Sequence, residues 1–115
     1  YDIQAAGWGP DFQDPYTFMN LWLTDGGNNK MSYSNPKYDE LVNASVGELA
    51  MDPEARWKAM AEAEKILLEE DYAISPNYQR GTMQLQKPYV KGVIAHSFGG
   101  DYSYKWAYIE GKDAQ

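Results

Sequence analysis

The chain has 115 residues, 43% hydrophobic and 15% aromatic, with 17 acidic residues against 10 basic ones and a net charge of −7. This apolar content is too high for a disordered chain, and the acidic balance argues against nucleic-acid binding and against docking on anionic lipid. Cysteine is absent, which removes disulfides, thiolate nucleophiles and cysteine-ligated zinc.

A chain of this size can bury one core, hiding roughly two thirds of its unfolded surface. No apolar run approaches the ~20 residues of a membrane span. The chain opens at Tyr1 on a strand-like run, with no visible leader. It therefore reads as a single partial domain, residues 1–115, of a longer protein, and the lack of a leader leaves the compartment open.

In chain order, residues 1–8 predict a strand with Ile3, Ala5 and Ala6 inward. The segment Gly7-Trp8-Gly9-Pro10-Asp11-Phe12-Gln13-Asp14-Pro15 then predicts a shaped loop. Asp14-Pro15 predicts a helix cap followed by proline at the first helical position, opening a short buried helix over residues 16–23. Residues 24–29, Thr-Asp-Gly-Gly-Asn-Asn, predict a loop without the alternation of a calcium site. Asn35-Pro36 opens a second helix, with Tyr38, Leu41, Val42 and Ser45 on one face. Asp52-Pro53 opens a third, residues 53–70, whose expected buried stripe is Trp57, Met60, Ala61, Glu64, Leu67 and Leu68, with Glu64 at its wet edge. Residues 72–79 and 82–86 alternate as strands, the first weakened by Pro76. In the tail, residues 98–109, Tyr102, Tyr104, Trp106 and Tyr108 are spaced as on one face of a strand. The expected class is α/β, with α+β also open: a mixed sheet covered by two or three helices.

Few residues suggest catalysis. His96 is the one histidine and lies in a Gly/Ser-flanked loop without a metal-ligand spacing. Asn43-Ala44-Ser45 matches a glycosylation sequon but falls within a predicted helix. Asp11 and Asp14 pose as a paired-carboxylate set, as in glycosidases, yet Asp14 is accounted for as a helix cap. Two readings remain for Trp8, Asp11 and Phe12. In one, the rings are core and Asp11 satisfies backbone N–H groups of its loop. In the other, Asp11 is an anion between aromatic walls, awaiting a ligand cation and a charge-assisted hydrogen bond.

The order of motifs along the chain resembles a known family. Gly7-Trp8-x-x-Asp11 with Asp14-Pro15 and Phe18 resembles the "G-W-x-x-D … D-P … F" signature of extracytoplasmic oligopeptide- and dipeptide-binding proteins of ABC transporters. Tyr33-x-Asn35-Pro36-x-Tyr38-Asp39-x-Leu41, Ala63-Glu64-x-x-Leu67, Asp71-x-Ala73-x-x-Pro76 and Lys87-Pro88-Tyr89-Val90-Lys91-Gly92 continue it. The resemblance implies the C-terminal portion of a periplasmic-binding-protein-like lobe, in which two lobes close on an extended peptide. By position, Asp11 would receive the peptide's α-ammonium, Trp8 and Phe12 would shape the pocket, and Asn28 and Asn29 lie on a loop that approaches the ligand.

The resemblance further implies a non-enzymatic, cofactor-free module. Its partners would be a peptide ligand and the permease subunits of an importer, and its membrane attachment a lipid anchor outside residues 1–115. Alternatives are the same fold holding an oligosaccharide, metal chelate or signalling peptide, with the aromatic tail as a sugar platform, and a carbohydrate-active enzyme using Asp11 and Asp14.

Overall fold

The computed structural model describes residues 2–81, 83–97 and 102–112. Both helical and strand elements are present, as an α/β reading expects. The chain divides into two compact units. One combines Tyr1–Phe12 with Tyr78–Gln115; the other is the contiguous stretch Gln13–Asn77.

The contiguous unit is helical. Helix α1 (Tyr16–Met19) runs into a 3-10 turn, Asn20–Trp22. Helix α2 spans Pro36–Val46, and α3 spans Pro53–Lys65 before continuing as a π-helical turn, Ile66–Glu70. The starts of α2 and α3 have the expected chemistry, whereas at α1 the cap position falls on Pro15, one residue later than expected. The Asn35 side chain accepts from the backbone N–H of Lys37 and Tyr38, and that of Asp52 accepts from Ala55 N–H. Asp14 Oδ1 accepts from Tyr16 N–H at 2.9 Å. These bonds satisfy donors that a helix start leaves without partners.

Helices α2 and α3 pack on each other. Tyr38, Val42, Ala63, Ile66 and Leu67 form the buried cluster, with Tyr16, Met19, Trp22, Leu23, Tyr33 and Leu41 around it. Burying an aliphatic side chain of this size contributes about 1.5–3 kcal/mol. The polar atoms inside are used: Tyr38 Oη donates to Met19 O at 2.8 Å, and Ser45 Oγ to Val42 O at 2.7 Å. The sequon therefore lies within α2 with its serine buried. Tyr33 meets Tyr38 edge to face at 5.6 Å between ring centroids.

The stripe expected on α3 is rotated. Met60 and Leu67 are buried as expected, but Ala59, Ala63 and Ile66 complete the inward face, and Trp57 is 62% exposed. Ala61 and Glu64 also face outward. The helix turns its small residues, Ala59 and Ala63, to its neighbours, which allows close approach, and the bulkiest ring is left outside.

The other unit carries the β structure. Strand β1 (Val90–Lys91) pairs antiparallel with β4 (Tyr108–Ile109), and β2 (Ile94–Ala95) with β3 (Tyr102–Ser103). Residues 92–93 on one side of this nested ribbon stand against residues 104–107 on the other. Those residues close a turn, Ala107 N–H to Tyr104 O at 3.0 Å. The turn interrupts the strand expected over the tail, so the evenly spaced aromatics do not share one strand face. Phe98, Gly99 and Gly100 of that expected strand lie outside the described residues, as do Tyr1 and Thr82 of two others.

Residues 2–8, 72–79 and 83–86 are not strands. Their alternation reflects extended chain, but a strand is defined by a ladder to a neighbouring strand, and among the described residues these segments pair with none. Pro76 also lacks the N–H a ladder needs. Among the described residues, no helix is long and apolar enough to cross a membrane.

Candidate functional site

The loop of interest leaves the extended segment 2–8 through Gly9-Pro10. Trp8 and Phe12 are 43% and 41% exposed, and Asp11 is exposed. Both rings are thus half-open within this chain. Glycine and proline keep this stretch out of regular structure, and the carboxylate stands on the surface between two half-open aromatic side chains in sequence.

In the helical unit, the next acidic residue is held differently. Asp14 Oδ1 accepts from Arg56 Nη2 at 2.8 Å as well as from Tyr16 N–H. The Arg56 hydrogen bond holds the Asp14 carboxyl below its ordinary value, against an opposing push from desolvation. Asp14 is therefore an ionised structural anchor, and the paired-carboxylate reading loses one of its two members. Arg56 was not visible as a partner in the sequence, because the two residues lie 42 positions apart with no local pattern joining them.

The Gly/Asn loop is likewise internally braced. Asn29 Nδ2 donates to Leu23 O at 3.1 Å and to Tyr33 O at 2.7 Å, while its Oδ1 accepts from Tyr33 N–H at 3.1 Å. Asn29 thus shapes its own loop. Asn28 is exposed. At the far end of the helical unit, Asp71 Oδ2 accepts from Tyr33 Oη at 2.6 Å and Asn35 Nδ2 at 2.7 Å. Those two bonds, Tyr33 first, lower the Asp71 carboxyl. The Tyr33 hydroxyl is raised by burial and by this carboxylate. His96 is exposed, and among the described residues no three His, Cys, Asp or Glu side chains gather as a metal site.

No protein-family model matches the chain. Individual proteins do. The periplasmic oligopeptide-binding protein OppA of Haemophilus influenzae is 44% identical over 92 residues, covering 80% of this chain and 16% of that protein. The dipeptide-binding protein DppE of Bacillus subtilis is 33% identical over 107 residues, covering 93% of this chain and 19% of that protein. This chain belongs to the family of oligopeptide- and dipeptide-binding proteins. Solved structures agree. The substrate-binding domain of an oligopeptide ABC transporter from Bacillus anthracis superposes with a TM-score of 0.81 at 44% identity, over 90% of this chain and 20% of that one. The pheromone receptor PrgZ, whose mode of peptide binding is described, gives 0.72 at 37% identity, over 90% of this chain and 19% of that one. The chain thus spans about a fifth or less of its relatives' length.

Proposed function

We propose that the protein carrying this chain is the peptide-capturing component of an ABC importer, and that Asp11 receives the α-ammonium of the bound peptide. One observation carries the second part: in a chain related to peptide-binding proteins, Asp11 is exposed on a loop whose rings, Trp8 and Phe12, are both half-open within this chain. Carboxylate beside aromatic faces is the chemistry that holds an ammonium group. The amino terminus is the one cation every linear peptide shares, so this contact fixes register without reading side chains. Main-chain hydrogen bonds supply the rest of the affinity. Such a protein works as a binder rather than an enzyme, outside the cytoplasm, delivering its peptide to permease subunits. A signalling peptide, as suggested by the relation to a pheromone receptor, meets the same chemistry.

Calorimetry on the full-length protein tests the role of Asp11. A free tripeptide, its N-acetylated form and an Asp11→Ala variant are compared. A charge-assisted hydrogen bond contributes about 1.5–3 kcal/mol, so acetylation and Asp11→Ala each weaken binding roughly 10- to 100-fold. Equal affinities in all three titrations would overturn the assignment.

A further inference from the structure

The outward face of α3 carries a feature that peptide capture at Asp11 does not use. A groove of about 440 Å³ lies between α1 and α3, lined by Phe18, Met19, Trp57, Met60 and Glu64 among others. Its walls are mostly apolar, with Phe18 and Trp57 as the aromatic members, and Glu64 is the charged side chain in its lining. Trp57, Ala61 and Glu64 stand on one face of α3, spaced by four and three residues.

The charges of α3 are otherwise settled. Glu54 pairs with Lys58 at 2.7 Å and Glu62 with Lys37 at 3.0 Å. Glu64 has no ion pair among the described residues. The unneutralised carboxylate of this helix is therefore the one beside an exposed indole and an apolar trough. The chain's charge of −7 adds no competing positive field.

We propose that this groove docks an arginine side chain of a partner protein. An arginine satisfies each wall at once. Its planar guanidinium forks onto the Glu64 carboxylate and stacks on Trp57, and its aliphatic stem lies along Met19 and Phe18. A lysine offers a point charge and loses the stacking. Arginine and tryptophan are the residue types that dominate binding energy at protein interfaces. The groove is thus the anchor point of a wider contact rather than a ligand site for free amino acids.

The test uses the full-length protein labelled with 5-fluorotryptophan, with the Trp57 signal assigned from a Trp57→Phe variant. The probe is acetyl-Ala-Arg-Ala-amide, compared with acetyl-Ala-Leu-Ala-amide. Both ends of each probe are blocked, so neither supplies the α-ammonium assigned to Asp11, and failure here leaves that assignment untouched. The arginine probe is expected to shift the Trp57 fluorine signal saturably, with an affinity at least fivefold weaker in Glu64→Gln and no saturable shift from the leucine probe. Equal effects of the two probes, unchanged affinity in Glu64→Gln, or no shift at all overturns the proposal. A Trp57 signal already shielded from a soluble gadolinium agent overturns it as well, because the groove is then filled from within the protein.

Discussion

Arg56 joins Asp14 to Ser45. Its Nη2 donates to the Asp14 carboxylate at 2.8 Å and its Nε to the Ser45 carbonyl at 2.7 Å, so one guanidinium ties the start of α1 to the last turn of α2. The arrangement suits both ends. The carboxylate already accepts from the first N–H of α1, and a cation near the last carbonyls of α2 meets the negative end of its dipole.

Replacing Arg56 by Gln removes the ion pair and leaves Asp14 half-buried beside its remaining N–H partner. Unfolding in urea is expected to show a loss of about 2 kcal/mol. Arg56→Lys is expected to recover little of it, since an ammonium cannot reproduce the two-pronged geometry.

The second anchor predicts how stability changes with pH. Asp71 and Asp14 both have lowered folded-state values. Their stabilisation is complete above the unfolded carboxylate value of about 3.9, and is lost as pH falls through the lower folded values. Asp71→Ala should therefore lower the urea midpoint at pH 7, and its difference from the parent chain should shrink towards zero under strongly acidic conditions. On the alkaline side, Tyr33 and Tyr38 have raised values, burial being the larger cause for each. Their neutral hydroxyls contribute fully below about pH 10, and stability declines as pH rises beyond it.

Tyr72 follows the π-helical turn with a φ of +50°, and Ala73 N–H closes the helix end onto Leu67 O at 2.9 Å. That left-handed position costs a side-chain-bearing residue roughly 1–2 kcal/mol. Tyr72 is exposed, so its ring offsets little of this. Tyr72→Gly is expected to raise stability by about 0.5–1 kcal/mol after the entropic cost of glycine, measured by chemical denaturation.

Gly92 has φ +71° between β1 and β2, and a side chain there would overlap the carbonyl oxygen of Trp106. Gly92→Ala is expected to cost about 2–3 kcal/mol in the β ribbon. Amide exchange reports it directly: the Glu110 N–H, bonded to Tyr89 O at 2.9 Å, should exchange faster while the amides of α2 stay protected.

The helical half was legible in the sequence because its signals are local. Asn35-Pro36 and Asp52-Pro53 carry cap and first turn within a few residues, and the face of Tyr38, Val42 and Ser45 follows from helical spacing. The face of α3 was misjudged because Trp57 outweighs Ala59 and Ala63 in apolar bulk, while close helix packing favours the small residues. Strands at residues 2–8 and 72–79 were overcalled because alternation reports extension and not the neighbour that makes a ladder. The loop with Trp8, Asp11 and Phe12 was visible from its composition and family likeness. The pairing of Arg56 with Asp14 and of Asp71 with Tyr33 and Asn35 was not, since these partners lie 36 to 42 positions away.

The two units are not equivalent in how their chain is threaded. Gln13–Asn77 is unbroken, whereas its companion needs Tyr1–Phe12 and Tyr78–Gln115 brought together across everything between. Ring closure over so long a stretch is entropically costly while that stretch is loose, and cheaper once it is compact. The helical segment accordingly serves as the scaffold of assembly as well as part of the product. A lesion confined to its core, such as Ile66→Ala, should slow the joining of Tyr1–Phe12 to Tyr78–Gln115, while the β ribbon, whose strands all follow the helical segment, forms at an unchanged rate.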